Sequence, residues 1–360
     1  NAFEQLKEYQ STTKDYLFGY LSYDLKNDVE QLTSKNFDGL GFADLYFFQA
    51  QKLIFIKGDT VEFLYLKLVE DEIEADFKEI SNISSTKTSS HLSTANNLKI
   101  KLRIHKDEYH QKVHTLLEHI QRGDVYEANF CQEFYAENAS INPLETYQHL
   151  NKISEPPFAT FLKYDQHYLL SASPERYLKK EGQKVISQPI KGTAKRLRSV
   201  IDDEKIAFDL ARDEKERSEN IMIVDLVRND LSKTAKKGTV KIEELCKVYS
   251  FKQVHQLVST VVSEVDKNVH PVDILKDTFP MGSMTGAPKI SAMNIIENLE
   301  ETKRGLYSGA VGYFTPNGDF DFNVIIRSIL YNEQKKYVSY SVGSAITAKS
   351  TPEKEYEECL

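Results

Sequence analysis

Short strand-like runs and helical segments follow one another along this chain without the strict strand–helix–strand rhythm of a doubly wound parallel sheet. The strand-like runs are rich in aromatic and β-branched residues, and the helical segments repeat their apolar residues every three or four positions. The runs lie at 158–163, 167–171, 308–314, 322–330 and 337–342, and the helical segments lie near 203–235 and 289–303. This pattern predicts an α+β fold with mixed or antiparallel sheets and helices outside them.

A polar stretch divides the chain into two parts. Residues 81–97 are mostly Ser, Thr and Asn without apolar periodicity, so we expect a surface loop there. We expect residues 1–80 to form the N-terminal portion of the same fold. That portion is expected to be truncated upstream, because the chain begins with Asn1 rather than methionine. Residues 98–360 are expected to form the catalytic region.

The composition excludes several functional classes. The formal net charge is -8, and basic residues are intermixed with acidic ones, so no basic stripe favours a nucleic acid. No apolar run is long enough to span a bilayer, and no secretory signal is recognisable. Cys131, Cys246 and Cys359 are too few and too far apart for a disulfide framework or a zinc site. We therefore expect a cytoplasmic protein that binds neither nucleic acid nor membrane.

Two pairs of glutamates have the same spacing in distant parts of the chain. Glu216 and Glu219 lie three residues apart in a predicted helix that starts near Asp213, and Glu355 and Glu358 repeat the spacing near the C-terminus. Residues three apart share one helix face, so each helix can present two carboxylates together. Two such helices facing each other would supply the oxygen ligands that Mg²⁺ prefers. The same spacing is common on solvated helix faces, which is the alternative.

A lysine lies between an apolar residue and a glycine at the end of a strand-like run. In the segment PIKGT, Lys191 follows Ile190 and precedes Gly192, which lets a ligand approach the backbone closely. An amine held against apolar walls loses part of its preference for the charged state and can act as a nucleophile or base. The simpler alternative is a strand-end lysine whose head group stays in water.

Other segments contain groups suited to an anionic ligand. Glu175 follows a predicted strand and can act as a general acid if burial raises its pKa; the alternative is a surface ion pair with the next residue. The loop at 282–288, GSMTGAP, can offer backbone N–H groups and a hydroxyl to an anion, although it lacks Walker spacing. Arg327 lies in an apolar run, which favours a forked contact with a carboxylate. Weaker candidates are Tyr307, His255 and Gly343.

Taken in order, these segments resemble the chorismate-utilising enzymes, which include anthranilate synthase component I, aminodeoxychorismate synthase component I, isochorismate synthase and salicylate synthase. The resemblance is dense from about residue 105 to the C-terminus, and FGYLSYDL at 18–25 adds to it. Its motifs are GDVYEANFCQ, SASPERYL, PIKGTAKR, ENIMIVDLVRNDL, HQLVSTV, FPMGSMTGAPKISAM, RGLYSGAVGYF, FNVIIRSIL and PEKEYEE. The resemblance implies two large mixed or antiparallel sheets packed together, with helices outside.

Position 191 separates the activities within that family. Aminodeoxychorismate synthases carry lysine in PIKGT, whereas anthranilate synthases usually carry alanine, so Lys191 implies the former type of activity. Isochorismate and salicylate synthases place a water-activating lysine in the segment that reads NFCQ here. Gln132 is interpreted as the residue at that position, which disfavours water as the nucleophile. Glu127, Ala128 and Cys131 replace commoner family residues in GDVYEANFCQ, and Ser344 and Ala345 replace one or two glycines expected after Gly343.

The resemblance also implies a role for each candidate residue. Lys191 would add to ring carbon C2 of chorismate while Glu175 protonates the departing C4 hydroxyl, and ammonia would then attack C4 and expel the lysine. The product of this transaminase-class amination would be 4-amino-4-deoxychorismate, a precursor of 4-aminobenzoate and folate. Mg²⁺ would be held by Glu216, Glu219, Glu355 and Glu358. Substrate contacts would come from Thr193, His255, Thr285, Tyr307, Arg327, Gly343 and Gln132.

The sequence shows no source of ammonia within the chain. None of the three cysteines has the flanking small residues of a glutaminase nucleophile elbow. Ammonia is therefore expected from solution or from a separate glutamine amidotransferase subunit.

Three other functions remain open for this chain. Two of them are anthranilate synthase component I, which would release pyruvate and aminate C2, and a catalytically silent chorismate-binding homologue. A third is an interaction protein whose glutamates are merely solvated and give no magnesium-dependent stabilisation.

Overall fold

Two large β-sheets dominate the computed structural model, which describes residues 1–83 and 98–360. The strands are β1 (Leu17–Leu21), β2 (Leu45–Gln49), β3 (Lys52–Lys57), β4 (Thr60–Tyr65), β5 (Lys101–Leu102), β6 (Glu127–Ala136), β7 (Phe158–Tyr164), β8 (His167–Ser173), β9 (Arg176–Glu181), β10 (Lys184–Gln188), β11 (Ile190–Lys195), β12 (Lys241–Ser250), β13 (Val254–Glu264), β14 (Gly286–Ala287), β15 (Ala310–Phe314), β16 (Phe320–Val324), β17 (Ser328–Asn332) and β18 (Tyr337–Thr347). The helices are α1 (Ala2–Thr13), α2 (Lys26–Val29), α3 (Ile73–Asn82), α4 (Lys106–Arg122), α5 (Pro143–Ser154), α6 (Val200–Leu210), α7 (Glu214–Ser232), α8 (Pro271–Thr278), α9 (Lys289–Leu299) and α10 (Pro352–Cys359). Among the described residues, no helix is both long enough and apolar enough to cross a membrane.

Both large sheets are antiparallel. In the described part of the chain, one has nine strands in the order β11-β13-β10-β9-β16-β15-β1-β2, with β12 also paired to β13. The other has seven strands in the order β14-β6-β18-β17-β8-β7, with β5 beside β6. Antiparallel pairing needs no crossover helix between neighbouring strands, which explains the irregular rhythm of the sequence. The predicted α+β fold class is confirmed.

The two sheets pack against each other through a large apolar core. Leu17, Phe314 and Phe322 of the nine-stranded sheet and Leu169 and Leu330 of the seven-stranded sheet belong to one buried cluster. Because each fully buried side chain of this size stabilises the fold by about 1.5–3 kcal/mol, this cluster holds the sheets in a fixed relation.

A second cluster covers the outer face of the seven-stranded sheet. Helices α4, α9 and α10 contribute Tyr109, Ile296 and Tyr356, and β6 contributes Ala128 and Phe130. Side chains alternate along a strand, so Asn129, which lies between Ala128 and Phe130 on β6, faces the opposite side, toward the other sheet. The end of α4 is as predicted, since the Gly123 that follows it has φ 83° and caps the helix.

Two of the places where the chain crosses from one sheet to the other lie next to each other. The crossing from β8 to β9 contains Glu175, and the crossing from β16 to β17 contains Arg327. Backbone hydrogen bonds tie the crossings together: Val324 N donates to Glu175 O at 3.0 Å and Ala172 N donates to Arg327 O at 3.1 Å. The single strand expected at 322–330 is therefore wrong, because the run belongs to two strands in different sheets.

Three other predicted boundaries change. The helical segment near 203–235 is two helices, α6 and α7, separated by a short break. Asp213 caps the start of α7 by accepting a hydrogen bond from Glu216 N at 2.9 Å. The segment near 289–303 stops at Leu299. Helix α3 includes the first two residues of the loop predicted at 81–97, and residues 84–97 lie outside the described residues.

Candidate active site

A cavity of about 580 Å³ opens where the two sheets meet α7 and α10. Strands β11 and β13 form one wall, β18 forms another, and both sheet crossings contribute to its floor. Of the residues predicted from sequence, the cavity is lined by Glu175, Lys191, Thr193, Glu216, Glu219, Tyr307, Arg327, Gly343, Glu355 and Glu358. The fold thus brings together segments that are up to 183 positions apart in the chain, from Glu175 to Glu358.

A glycine bulge positions the lysine. The register of β11 against β13 shifts between Lys191 and Thr193, where Gly192 is an extra residue with φ 83°. A Cβ atom at Gly192 would lie 3.1 Å from Glu216 Oε2 and 3.1 Å from Leu257 Cδ1. Glycine is therefore required both for the left-handed backbone and for the close approach of α7.

The lysine is surrounded by carboxylates. Lys191 Nζ lies 3.3 Å from Glu127 Oε1. Burial alone would lower the pKa of Lys191, but the negative charges of Glu127, Glu219 and Glu175 outweigh burial and raise it. The expectation that apolar walls reduce the charge of this amine is therefore wrong. In the free protein Lys191 is an ammonium group.

Glu175 has the environment that a general acid requires. It lies at the first sheet crossing, is 4% exposed, and accepts a hydrogen bond from Ser283 Oγ at 2.6 Å. Burial raises the pKa of Glu175 to about 7, although Ser283, Lys191 and Arg327 oppose the shift. A carboxyl group that titrates there can hold and release a proton at neutral pH.

Arg327 adopts a strained backbone at the second sheet crossing. Its φ is 50°, a left-handed conformation that costs about 1–3 kcal/mol in a residue other than glycine. Strain of this kind is retained where the surrounding structure fixes it, often at functional sites. Arg327 lines the cavity, as do Tyr307 and Gly343.

Four carboxylates form one side of the cavity. Glu216 and Glu219 come from α7, and Glu355 and Glu358 come from α10. Burial raises the pKa of Glu219 to about 7, opposed by Lys191 and Lys215 and reinforced by Glu216. Burial also raises the pKa of Glu358, and the neighbouring charge of Glu355 adds to the shift.

These carboxylates suit a hard divalent cation. Among the described residues, no three His, Cys, Asp or Glu side chains already converge closely enough to hold a metal ion. The buried Glu219 Oε1 has no hydrogen-bond partner in that part of the chain, and like charges face one another around it. A bound cation would satisfy this oxygen and offset the repulsion, so the donor set fits Mg²⁺.

His255 is not a cavity residue, contrary to the sequence prediction. Its Nε2 lies 3.0 Å from Asp203 Oδ1 and its Nδ1 lies 2.8 Å from Ser250 Oγ. Side chains alternate along β13, so it is the next residue, Gln256, that lines the cavity.

Thr285 and Gln132 also lie outside the cavity. The Thr285 hydroxyl is buried and bonds to the carbonyl oxygen of Gly282 at 3.2 Å. Gln132 is buried on the same side of β6 as Phe130, toward the helices. The argument that Gln132 disfavours water as a nucleophile therefore fails, because Gln132 cannot meet the ligand.

Sequence reasoning missed two groups, Glu127 and Gln256. Glu127 is the β6 residue that reaches Lys191, and its Oε2 is buried without a hydrogen-bond partner among the described residues. Because Glu127 and Gln132 are five positions apart on one strand, they must face opposite sides, but the spacing does not show which of them faces the ligand.

A carboxyl with a pKa of about 7 and a lysine line this cavity, together with Arg327 and four carboxylates that suit a cation. The fold and cavity are thus suited to an enzyme that acts on a small anionic ligand. The comparisons specify which one: the chain belongs to the chorismate binding enzyme family, whose model matches residues 1–360.

Individual relatives agree with this assignment. Anthranilate synthase component 1 of Aquifex aeolicus is 33% identical over 357 residues, which cover 96% of this chain and 72% of that protein. Aminodeoxychorismate synthase component 1 of Escherichia coli is 39% identical over 254 residues, which cover 70% of this chain and 55% of that protein. The crystal structure of anthranilate synthase component I from Streptococcus pneumoniae superposes with a TM-score of 0.84 at 27% identity, covering 95% of this chain and 78% of that one.

Proposed function

We propose that this chain is the chorismate-aminating component of an aminodeoxychorismate synthase. The observation that carries the proposal is the presence of Lys191 and Glu175 in one cavity, an amine and a proton donor on separate walls. By resemblance, a lysine at position 191 distinguishes chorismate amination at C4 from anthranilate formation. The similarity to the Escherichia coli relative supports the same activity.

The chemistry divides between these two residues. Lys191, once deprotonated, adds through its lone pair to C2 of chorismate, the two ring double bonds shift, and the C4–O bond breaks. Glu175 gives its proton to the departing hydroxyl, which leaves as water. Ammonia then attacks C4, the double bonds shift back, and the C2–N bond to Lys191 breaks. The Glu175 carboxylate takes one proton from the new ammonium group, which restores the acid and leaves 4-amino-4-deoxychorismate.

Other residues of the chain bind the substrate and a cation. Glu216, Glu219, Glu355 and Glu358 would hold Mg²⁺. The ion, when bound, acts as a Lewis acid on the ring carboxylate. Arg327, with Tyr307 and the backbone at Gly343, would bind the carboxylate of the enolpyruvyl group. A positive charge at each end of the cavity would then bind one carboxylate of the substrate, which would fix the ring between Lys191 and Glu175.

Ammonia would come from a separate glutamine amidotransferase subunit. Both curated relatives above are named component 1, which supports a second component for this chain as well. Ammonium salts should replace that subunit in vitro.

The test is a mass-resolved product assay with chorismate, Mg²⁺ and ammonium. Aminodeoxychorismate from the intact chain, sharply reduced in Lys191→Ala, supports the proposal. Lys195→Ala is the matched control, because Lys195 is exposed at the end of the same strand and lies outside the cavity. A silent homologue would bind chorismate and form no product.

Anthranilate synthase component I is the second candidate. The similarity to the Aquifex aeolicus relative extends over 96% of the chain and favours it. Formation of anthranilate and pyruvate in the same assay would show this activity instead of the proposed one.

A further inference from the structure

A buried amide oxygen in the cavity has no protein partner. Gln256 on β13 lies opposite Thr193 on β11, lines the cavity, and is only 2% exposed. Its Nε2 donates to Thr193 Oγ1 at 3.3 Å. Its Oε1 has no hydrogen-bond partner within residues 1–83 and 98–360.

In the amide orientation of the structure, the NH₂ group of Gln256 donates to the Thr193 hydroxyl. The end that remains is the carbonyl oxygen, which can only accept. An unpaired buried acceptor costs about 1–3 kcal/mol, so such groups are normally satisfied by water or a ligand. A ligand that satisfies Gln256 must therefore bring an O–H or N–H donor to this wall.

Chorismate has a single group of that kind. At neutral pH its two carboxylates are ionised and accept hydrogen bonds, and its ether oxygen also only accepts. The C4 hydroxyl is the one donor in the molecule.

We propose that Gln256 Oε1 accepts a hydrogen bond from the C4 hydroxyl of chorismate and so determines which substrates enter the reaction. This inference rests on the proposed function. Gln256 is then a substrate-contacting residue, and Thr193 is the positioning residue that holds its amide. The family resemblance had assigned Thr193 directly to substrate and had assigned no role to Gln256.

This contact complements the role of Glu175. A hydroxyl that donates its hydrogen to Gln256 keeps its oxygen lone pairs free for the proton of Glu175. When the C4–O bond breaks, the oxygen takes that proton and leaves as water, which still has a hydrogen to donate to Gln256. The same two contacts therefore serve the bound hydroxyl and the departing water.

The proposal also predicts how the site rejects other ligands. A site built to hydrogen-bond a hydroxyl strongly disfavours an analogue without it, because its own polar group is then left unpaired. A 4-deoxy analogue of chorismate, with hydrogen in place of the hydroxyl, isolates this contact.

The experiment measures binding without turnover. Dissociation constants for chorismate and its 4-deoxy analogue are determined with Mg²⁺ present by calorimetry, in Lys191→Ala with and without Gln256→Met. Methionine keeps the side-chain length and removes the acceptor. Gln253→Met is the control, because Gln253 is exposed and lies outside the cavity.

We expect Gln256→Met to weaken chorismate binding roughly tenfold, the fold-change that corresponds to one lost hydrogen bond. Binding of the 4-deoxy analogue should change less than about twofold by the same comparison, since it has no hydrogen bond to lose. Thr193→Val, introduced into Lys191→Ala in place of Gln256→Met, should give part of the same loss of affinity for chorismate and none for the 4-deoxy analogue.

Equal weakening of both ligands would overturn the proposal by showing a packing role, and unchanged binding of both would overturn it by showing no contact. Failure of the proposed function is detected separately, because the product assay would then give anthranilate and pyruvate or no product, whereas this binding comparison does not depend on turnover. Thermal unfolding of each variant separates loss of folding from loss of the contact.

Discussion

Glu127 Oε1 lies 3.3 Å from Lys191 Nζ, and the two residues belong to strands of different sheets. Glu127 is 1% exposed, so this ion pair is shielded from water and joins β6 to β11 at the edge of the cavity. The same charge that orders Lys191 also opposes its use as a nucleophile. Substrate and cation binding must therefore act on a lysine that begins protonated.

Replacing Glu127 by glutamine should raise kcat/KM near neutral pH and shift the basic limb of the pH profile to lower pH. Lys191 reacts only as a free amine and Glu175 only as an acid. Because the pKa of Lys191 is the higher of the two, few molecules hold both forms at once, and that fraction grows when the pKa of Lys191 falls. Glu127 raises that pKa and glutamine would not, while Glu219 and Glu175 still act on Lys191 in the variant.

The measurement is kcat/KM against pH for both proteins. Glu137→Gln, at an exposed glutamate just beyond the end of β6, should leave the limb in place. An unchanged basic limb in Glu127→Gln would mean that another group controls the basic side.

Ser283→Ala should shift the upper end of the acidic limb to higher pH. Glu175 must be protonated and Lys191 must be a free amine. Because the pKa of Lys191 is the higher of the two, activity rises with pH only up to the Glu175 pKa of about 7. The Ser283 hydroxyl stabilises the carboxylate form, and its removal should raise that pKa further. Glu175→Gln removes the acid and should lower kcat about 10²–10⁴-fold.

Profiles of kcat/KM against pH decide this point. Ser291→Ala, at a half-buried serine of α9 outside the cavity, is the control. An acidic limb that still levels off at the same pH in Glu175→Gln would assign it to a different residue.

Mg²⁺ should stabilise the protein through the four cavity glutamates. Binding to the folded state alone raises the free energy of unfolding by RT ln(1 + [Mg²⁺]/Kd), so Tm should rise with Mg²⁺ concentration. Glu358→Gln should weaken this response. Glu357→Gln, a change at the adjacent exposed residue outside the cavity, should retain it. The response is measured by thermal unfolding of both variants at increasing Mg²⁺ concentration. Equal responses would place the ion elsewhere.

The sequence predicted which segments meet but could not decide which side chains face the ligand. Strands β6 and β13 are buried along nearly their whole length, on both sides. Such strands lack the apolar–polar alternation that reveals orientation, so His255 could not be told from Gln256, nor Glu127 from Gln132.

The same limitation hid the second sheet crossing. Ile325 and Ile326 continue the apolar pattern of β16 after that strand has ended at Val324, and both are at least half-buried. Nothing in the local pattern marks the turn into the other sheet. By contrast, Gly123 ends α4 as predicted, because a left-handed helix cap favours glycine for local reasons.

Gly192→Ala should reduce both stability and activity, whereas Gly182→Ala should reduce stability only. Both glycines have positive φ, 83° and 60°, so alanine at either position incurs a left-handed backbone cost of about 1–2 kcal/mol. A Cβ at Gly182 meets nothing within 4 Å, but at Gly192 it lies 3.1 Å from Glu216 Oε2 and Leu257 Cδ1. Relief of those contacts must displace α7 or the bulge that aims Lys191. Urea unfolding and steady-state kinetics on both variants test this difference, and equal activity in the two would show that the bulge does not set the position of the lysine.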